Sequence, residues 1–133
     1  MKAKDSIVYP AVFTYEPNQE IAVIFPDLGT ATSGIDEEDA LASARECLGL
    51  VIYGLEDDDE LIPPASKLQD VKTAANERVV LIDAYMPAVR SAQENRNVTK
   101  TVAIPAWLNA KAAEHDIDFS QTLQRALCEQ LQI

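Results

Sequence analysis

A seven-residue stretch near the C-terminal end, VTKTVAI at residues 98–104, constrains this chain more than any other. Its side chains alternate with the two-residue period of a β-strand. Pro105 stops it and suits the first turn of a helix. His115-Asp116 breaks that helix, and Ser120 starts another. A lone strand leaves its N–H and C=O groups unpaired and does not stand alone in water. No partner strand lies near it in sequence, so the simplest mate is the same stretch of a second copy. Two copies pairing antiparallel, with four helices behind them, build a dimeric domain with a two-stranded ribbon on one face. Such a ribbon fits the DNA major groove.

Alternation sorts the stretch into two faces. Val98, Lys100, Val102 and Ile104 share one, and Thr99, Thr101 and Ala103 share the other. Val102 and Ile104 lie nearest the helix and face the core, so Thr99, Thr101 and Ala103 face outward. Trp107, Leu108 and Ala112 form the apolar side of the first helix. Leu123, Leu127 and Leu131 repeat every four residues on the last. Val102, Ile104, Trp107, Leu123 and Leu127 are therefore the expected dimer core. Ser120 is the expected N-cap, and backbone N–H groups there could hold a DNA phosphate.

Upstream, residues 7–15 (IVYPAVFTY) and 21–25 (IAVIF) read as a hairpin across the turn at 16–19. Pro10 suggests an edge position or a strand start for the first of them. Residues 30–33 could add a third strand. Asp36 caps a helix whose first turn holds Glu37, Glu38 and Asp39, and Ala40, Leu41, Ala44, Leu48, Val51, Ile52 and Leu55 give it one apolar face. Gly54 is placed to end it. Residues 56–60 (EDDDE) read as a solvated loop or an interaction patch. Residues 78–85 (RVVLIDAY) read as a strand, and their continuous apolar run suggests an interior position. The expected fold class is α+β: a ββ(β)αβ domain over 1–88, a linker over 89–97 that could be partly helical, and the ribbon with its two helices over 98–133.

Charge separates the two halves. Residues 1–90 carry seven Lys/Arg against seventeen Asp/Glu, a net of −10, and residues 91–133 carry four against five. The first part should repel nucleic acid and attract a basic partner. A hydrophobic fraction of 47% supports a packed core and excludes global disorder. No apolar run is long enough to span a bilayer and no signal-peptide core opens the chain, so a cytosolic protein is expected. Cys47 and Cys128 read as buried free thiols. His115 is the only histidine, and with two distant cysteines it makes no metal site. No cofactor or metal is expected. Two other functions stay open: a Mg²⁺-dependent nuclease using Asp27 and Asp83, and a stand-alone transcriptional repressor whose first domain senses a ligand.

The runs YPAVF, IAVIFPDL, TSGIDEEDA, IPPAS and VVLID resemble the HicB family of antitoxins. The C-terminal TKTVAIPAWLN and IDFSQTLQRAL resemble the ribbon-helix-helix domain of one HicB subgroup. The resemblance spans nearly the whole chain. It implies a partial ribonuclease-H-like first domain, a small basic HicA-like toxin that cleaves mRNA, and autorepression of the shared operon through operator DNA. It puts Thr99, Thr101 and Ala103 at base-reading positions, with a phosphate contact open to Lys100. Ala103 offers only a methyl contact where the family pattern often has a polar residue. Asp27, Glu56, Asp57, Asp58 and Asp59 become candidates for toxin contact. A net of −1 in the C-terminal part is low for a DNA reader, so binding should need two dimers on adjacent half-sites.

Overall fold

The computed structural model describes residues 4–133; the reading of the extreme N-terminus falls partly on residues 1–3, outside them. The chain divides between Arg96 and Asn97 into two units.

In the first unit, β1 (Ser6–Thr14), β2 (Ile21–Phe25) and β3 (Thr30–Gly34) precede the helix α1 (Glu37–Asp57). Strand β4 (Glu77–Tyr85) and helix α2 (Met86–Glu94) follow. The strands form one antiparallel sheet in the order β3-β2-β1-β4. The expected ββ(β)αβ order is present, with the third strand formed.

Strand alternation decides which side chains enter the core. Tyr9, Ala11 and Phe13 of β1 join Ile21, Val23 and Phe25 of β2 and Ile82 of β4, packed with Ala40, Ala44, Leu48 and Ile52 of α1. Burying each large apolar side chain contributes roughly 1.5–3 kcal/mol. Helix α1 begins where the sequence places it. The Asp36 carboxylate accepts from the Asp39 backbone N–H at 2.8 Å, and Asp39 accepts from Ile35 N–H at 2.9 Å. Gly34 lets β3 run straight into this helix start: a Cβ there would lie 2.2 Å from Ala40 N.

Four expectations need correcting. Strand β4 is an edge strand, not an interior one. Its apolar run is continuous because Val80 and Ile82 face α1 while Val79 and Leu81 face the opposite side. Conversely, Pro10 lies in the central strand β1. It pairs with Leu81 on the β4 side, while the β2 ladder reaches only to Val12, so Pro10 sits past its end. Gly54 does not end α1, which runs to Asp57 and closes on Asp59 in the left-handed conformation (φ 52°). There Glu60 N–H returns to Leu55 O and Asp59 N–H to Glu56 O. Finally, the segment expected as a linker over 89–97, open to being partly helical, groups with the first unit as far as Arg96; it is helix α2 to Glu94, with Val89 packed against Gly49 and Met86 fully buried.

The second unit holds α3 (Ala106–Glu114) and α4 (Phe119–Leu131). The break at His115-Asp116 is a Schellman turn. Asp116 adopts φ 51°, its N–H bonds to Ala113 O, and Ile117 N–H bonds to Ala112 O. Residues 98–104 form neither helix nor strand within the single chain.

Candidate functional site

The second unit has no core of its own. None of its residues is buried, only Ala112 is even partly so, and eleven of its large apolar side chains are exposed. The residues expected to form a dimer core, Val102, Ile104, Trp107, Leu123 and Leu127, are all among them. Trp107 is 68% exposed and Leu127 51%. Two short helices cannot hold such a surface in water, since isolated helices of this length are marginal and the apolar stripe gains nothing without a partner. Cys128, expected to be buried, is exposed on α4; Cys47 on α1 is half-buried, and both are free thiols.

Thr99, Lys100, Thr101 and Ala103 are exposed on the segment before α3. Ser120 does not cap α4. Asp118 does, its carboxylate accepting from Gln121 N–H at 3.1 Å. An Asp-x-x pattern two residues earlier was the missed signal. This carboxylate takes the Gln121 N–H, one of the donors that a phosphate at the helix N-terminus would use.

Among the described residues of the first unit the acidic candidates separate into engaged and free groups. Asp27 accepts from Ser66 N–H at 2.9 Å and from the Ser66 hydroxyl, pinning the segment after α1 to the β2–β3 turn. Nearby, burial and then the Asp27 charge push the Tyr9 phenol above its ordinary pKa. Glu56 is held by Arg90 through two bonds of 2.8 and 2.9 Å. Arg90 also donates to Lys4 O, tying α2, α1 and the start of β1 together. The Glu56 bond raises the Arg90 pKa against the lowering effect of burial. Asp57, Asp58 and Asp59 are left, at the negative end of the α1 dipole and with no basic residue in the last turn. Sequence reading missed the Asp27–Ser66 and Glu56–Arg90 partners because they lie 39 and 34 residues apart.

Asp83 pairs with Arg45 at 3.2 Å. Asp27 and Asp83 are thus engaged separately, and among the described residues no three His, Cys, Asp or Glu side chains converge as a metal site. Among the same residues no helix is long and apolar enough to cross a membrane.

Comparison with protein-family models gives no match. Comparison with curated proteins gives none either. Among solved structures, the chain is similar to a chain of the "Toxin-Antitoxin complex from Streptococcus pneumoniae", with 26% identity and a TM-score of 0.60, over 94% of this chain and 99% of that one. It is also similar to the HicB antitoxin of Burkholderia pseudomallei, with 20% identity and a TM-score of 0.56, over 94% of this chain and 98% of that one. The chain therefore has the fold of a HicB antitoxin along nearly its whole length, and the family resemblance in its sequence is matched in three dimensions.

Proposed function

We propose that this chain is the antitoxin of a toxin–antitoxin pair of the HicAB kind and acts in the cytoplasm. Its acidic first unit binds and masks a basic, mRNA-cleaving toxin. Its second unit dimerises as a ribbon-helix-helix domain and represses the operon that encodes both proteins. The observation that carries this reading is the unfinished second unit: eleven exposed large apolar side chains and no buried residue. A second copy supplies both what the helices need, an apolar mate, and what residues 98–104 need, a hydrogen-bonding strand. In that pairing Thr99, Thr101 and Ala103 face the major groove, and Lys100 reaches a phosphate. With few cations per dimer, two dimers occupy adjacent half-sites. The likeness to a chain of a toxin–antitoxin complex supports the toxin partner, as does the net of −10 in the first ninety residues.

Co-expression of the full chain with the reading frame beside its gene tests this. The expected result is a co-purifying basic protein whose ribonuclease activity is silent in the complex. A gel shift of the operon's own promoter by the dimer completes the expectation. A chain that stays monomeric at micromolar concentration, or captures no basic neighbour, would overturn the proposal.

A further inference from the structure

The face of the sheet turned away from α1 is unlike the rest of the first unit. Pairing across β1 and β4 places Ser6 opposite Tyr85, Val8 opposite Asp83, and Pro10 opposite Leu81, all on this face. Pro10 and Val12 at its centre are buried, but Val8, Leu81 and Tyr85 are 48%, 52% and 60% exposed. These three surround a single carboxylate, Asp83. Glu20 and Glu77 lie on the same face, bonded to Ser33 and Thr14. By the same alternation no strand residue on this face is Lys or Arg. Among the described residues the cation that reaches it is Arg45, which starts on α1 and must cross the free edge of β4 to meet Asp83. Both partners of that pair are more than half exposed, so the pair is weak and exchangeable.

We infer that this patch is the anchor site for the basic toxin: a Lys or Arg of the partner lays its stem across Val8 and Leu81, faces the Tyr85 ring, and delivers its charge to Asp83 in place of Arg45. The inference rests on the antitoxin reading and deepens it by locating the contact on the sheet rather than on the acidic end of α1. A long basic side chain is the occupant that suits every group present. Its methylenes cover apolar surface, its charge meets an otherwise displaced carboxylate, and an aromatic face adds a cation–π contact. A second copy does not suit it, because two units of net −10 would bring two Asp83 carboxylates together without a cation. An apolar surround that desolvates one charge when the partner docks is also how interface hot spots are built.

The test is calorimetric titration of the full chain and its variants with the co-purified basic partner at physiological salt, with a melting curve for each variant. Leu81→Lys and Tyr85→Ala should each weaken binding at least about tenfold with melting temperatures nearly unchanged. Asp83→Asn should weaken it similarly, whereas Arg45→Gln, which breaks the same internal pair, should leave binding unchanged or tighter. Replacing Asp57, Asp58 and Asp59 by Asn should cost little. Equal losses in Asp83→Asn and Arg45→Gln would reduce Asp83 to an internal brace and overturn the anchor. So would loss confined to the 57–59 variant, which leaves the antitoxin reading standing. A wild-type chain that binds no basic partner removes that reading, and this inference with it.

Discussion

Removing the Leu127 side chain gives a quantitative check on the two-copy second unit. In the single chain Leu127 is 51% exposed and Leu123 38%. Full burial of a leucine contributes roughly 1.5–3 kcal/mol, so about half of that, ~1 kcal/mol, is still available to Leu127 from a partner. A twofold interface counts every substitution twice, so Leu127→Ala should cost about 2 kcal/mol of dimerisation. At 1.4 kcal/mol per decade that is roughly thirtyfold in Kd. Sedimentation equilibrium across a concentration series reads it directly. The same samples carry a second signal. Helices α3 and α4 are 9 and 13 residues long and own no core, so they should melt when the dimer dissociates. Helical circular dichroism should therefore fall on dilution, in part only, because α1 keeps its packing on the sheet. Leu127→Ala should move that fall to higher concentration by the same factor. Helicity independent of concentration, or a Kd unmoved by the substitution, would refute the reasoning.

Gly34→Ala should destabilise the first unit by several kcal/mol, seen as a lowered urea midpoint, because the new Cβ would meet the Ala40 backbone at 2.2 and 2.4 Å with no side chain able to yield. Arg90→Met should cost about 2–3 kcal/mol in the same measurement, since it strands half-buried Glu56 and frees α2 from α1 and β1. Asp58→Asn, at the negative end of the α1 dipole, should instead stabilise by about 0.3–1 kcal/mol, most clearly at low salt. Thr101→Ala should weaken operator binding by about 1 kcal/mol or more in a fluorescence-anisotropy titration while the dimer persists; unchanged affinity would count against residues 98–104 as the reading strand.

Local signals in the sequence carried most of the fold. The hairpin, the Asp36 cap and the helical break at His115-Asp116 depend on neighbours within a few residues, and all three stand in the structure. What misled was the attempt to rank strands as edge or centre. Pro10 argues for an edge only if both flanks of its residue are paired, and β2 is too short to pair with it. The Val79–Ile82 run argues for an interior strand only if both faces are covered, and one of them carries exposed Leu81. That misreading hid the surface with the clearest interaction character. The acidic run at 56–60 misled in the opposite way. Its residues cap a helix and hold Arg90, so a composition that looked like a patch is partly architecture. Ser120 and Asp118 compete for one cap, and the carboxylate prevails because it stands at the position whose side chain can reach the N–H of the third helical residue, Gln121.

The charge of the second unit sets an upper bound on how it can hold DNA. Residues 97–133 carry Lys100, Lys111 and Arg125 against Glu114, Asp116, Asp118 and Glu129, with Arg96 just before them. A dimer therefore has at most eight cations to set against phosphates, and the salt dependence of operator binding cannot be steeper than about −7 in log K against log salt for each dimer bound. The slope should fall well short of that, near about −3, because carboxylates sit among the cations and Asp118 occupies the α4 N-terminus. Lowering the salt should also gain less than the cation count suggests, since each copy brings a first unit of net −10 into the field of the duplex. On the proposed function, affinity would then come mainly from groove contacts of the ribbon and from two dimers side by side. Anisotropy titrations at four or five salt concentrations measure the slope. A value at or beyond −7 per bound dimer would mean that cations outside residues 96–133 reach the phosphates, and that the ribbon does not carry the recognition assigned to it.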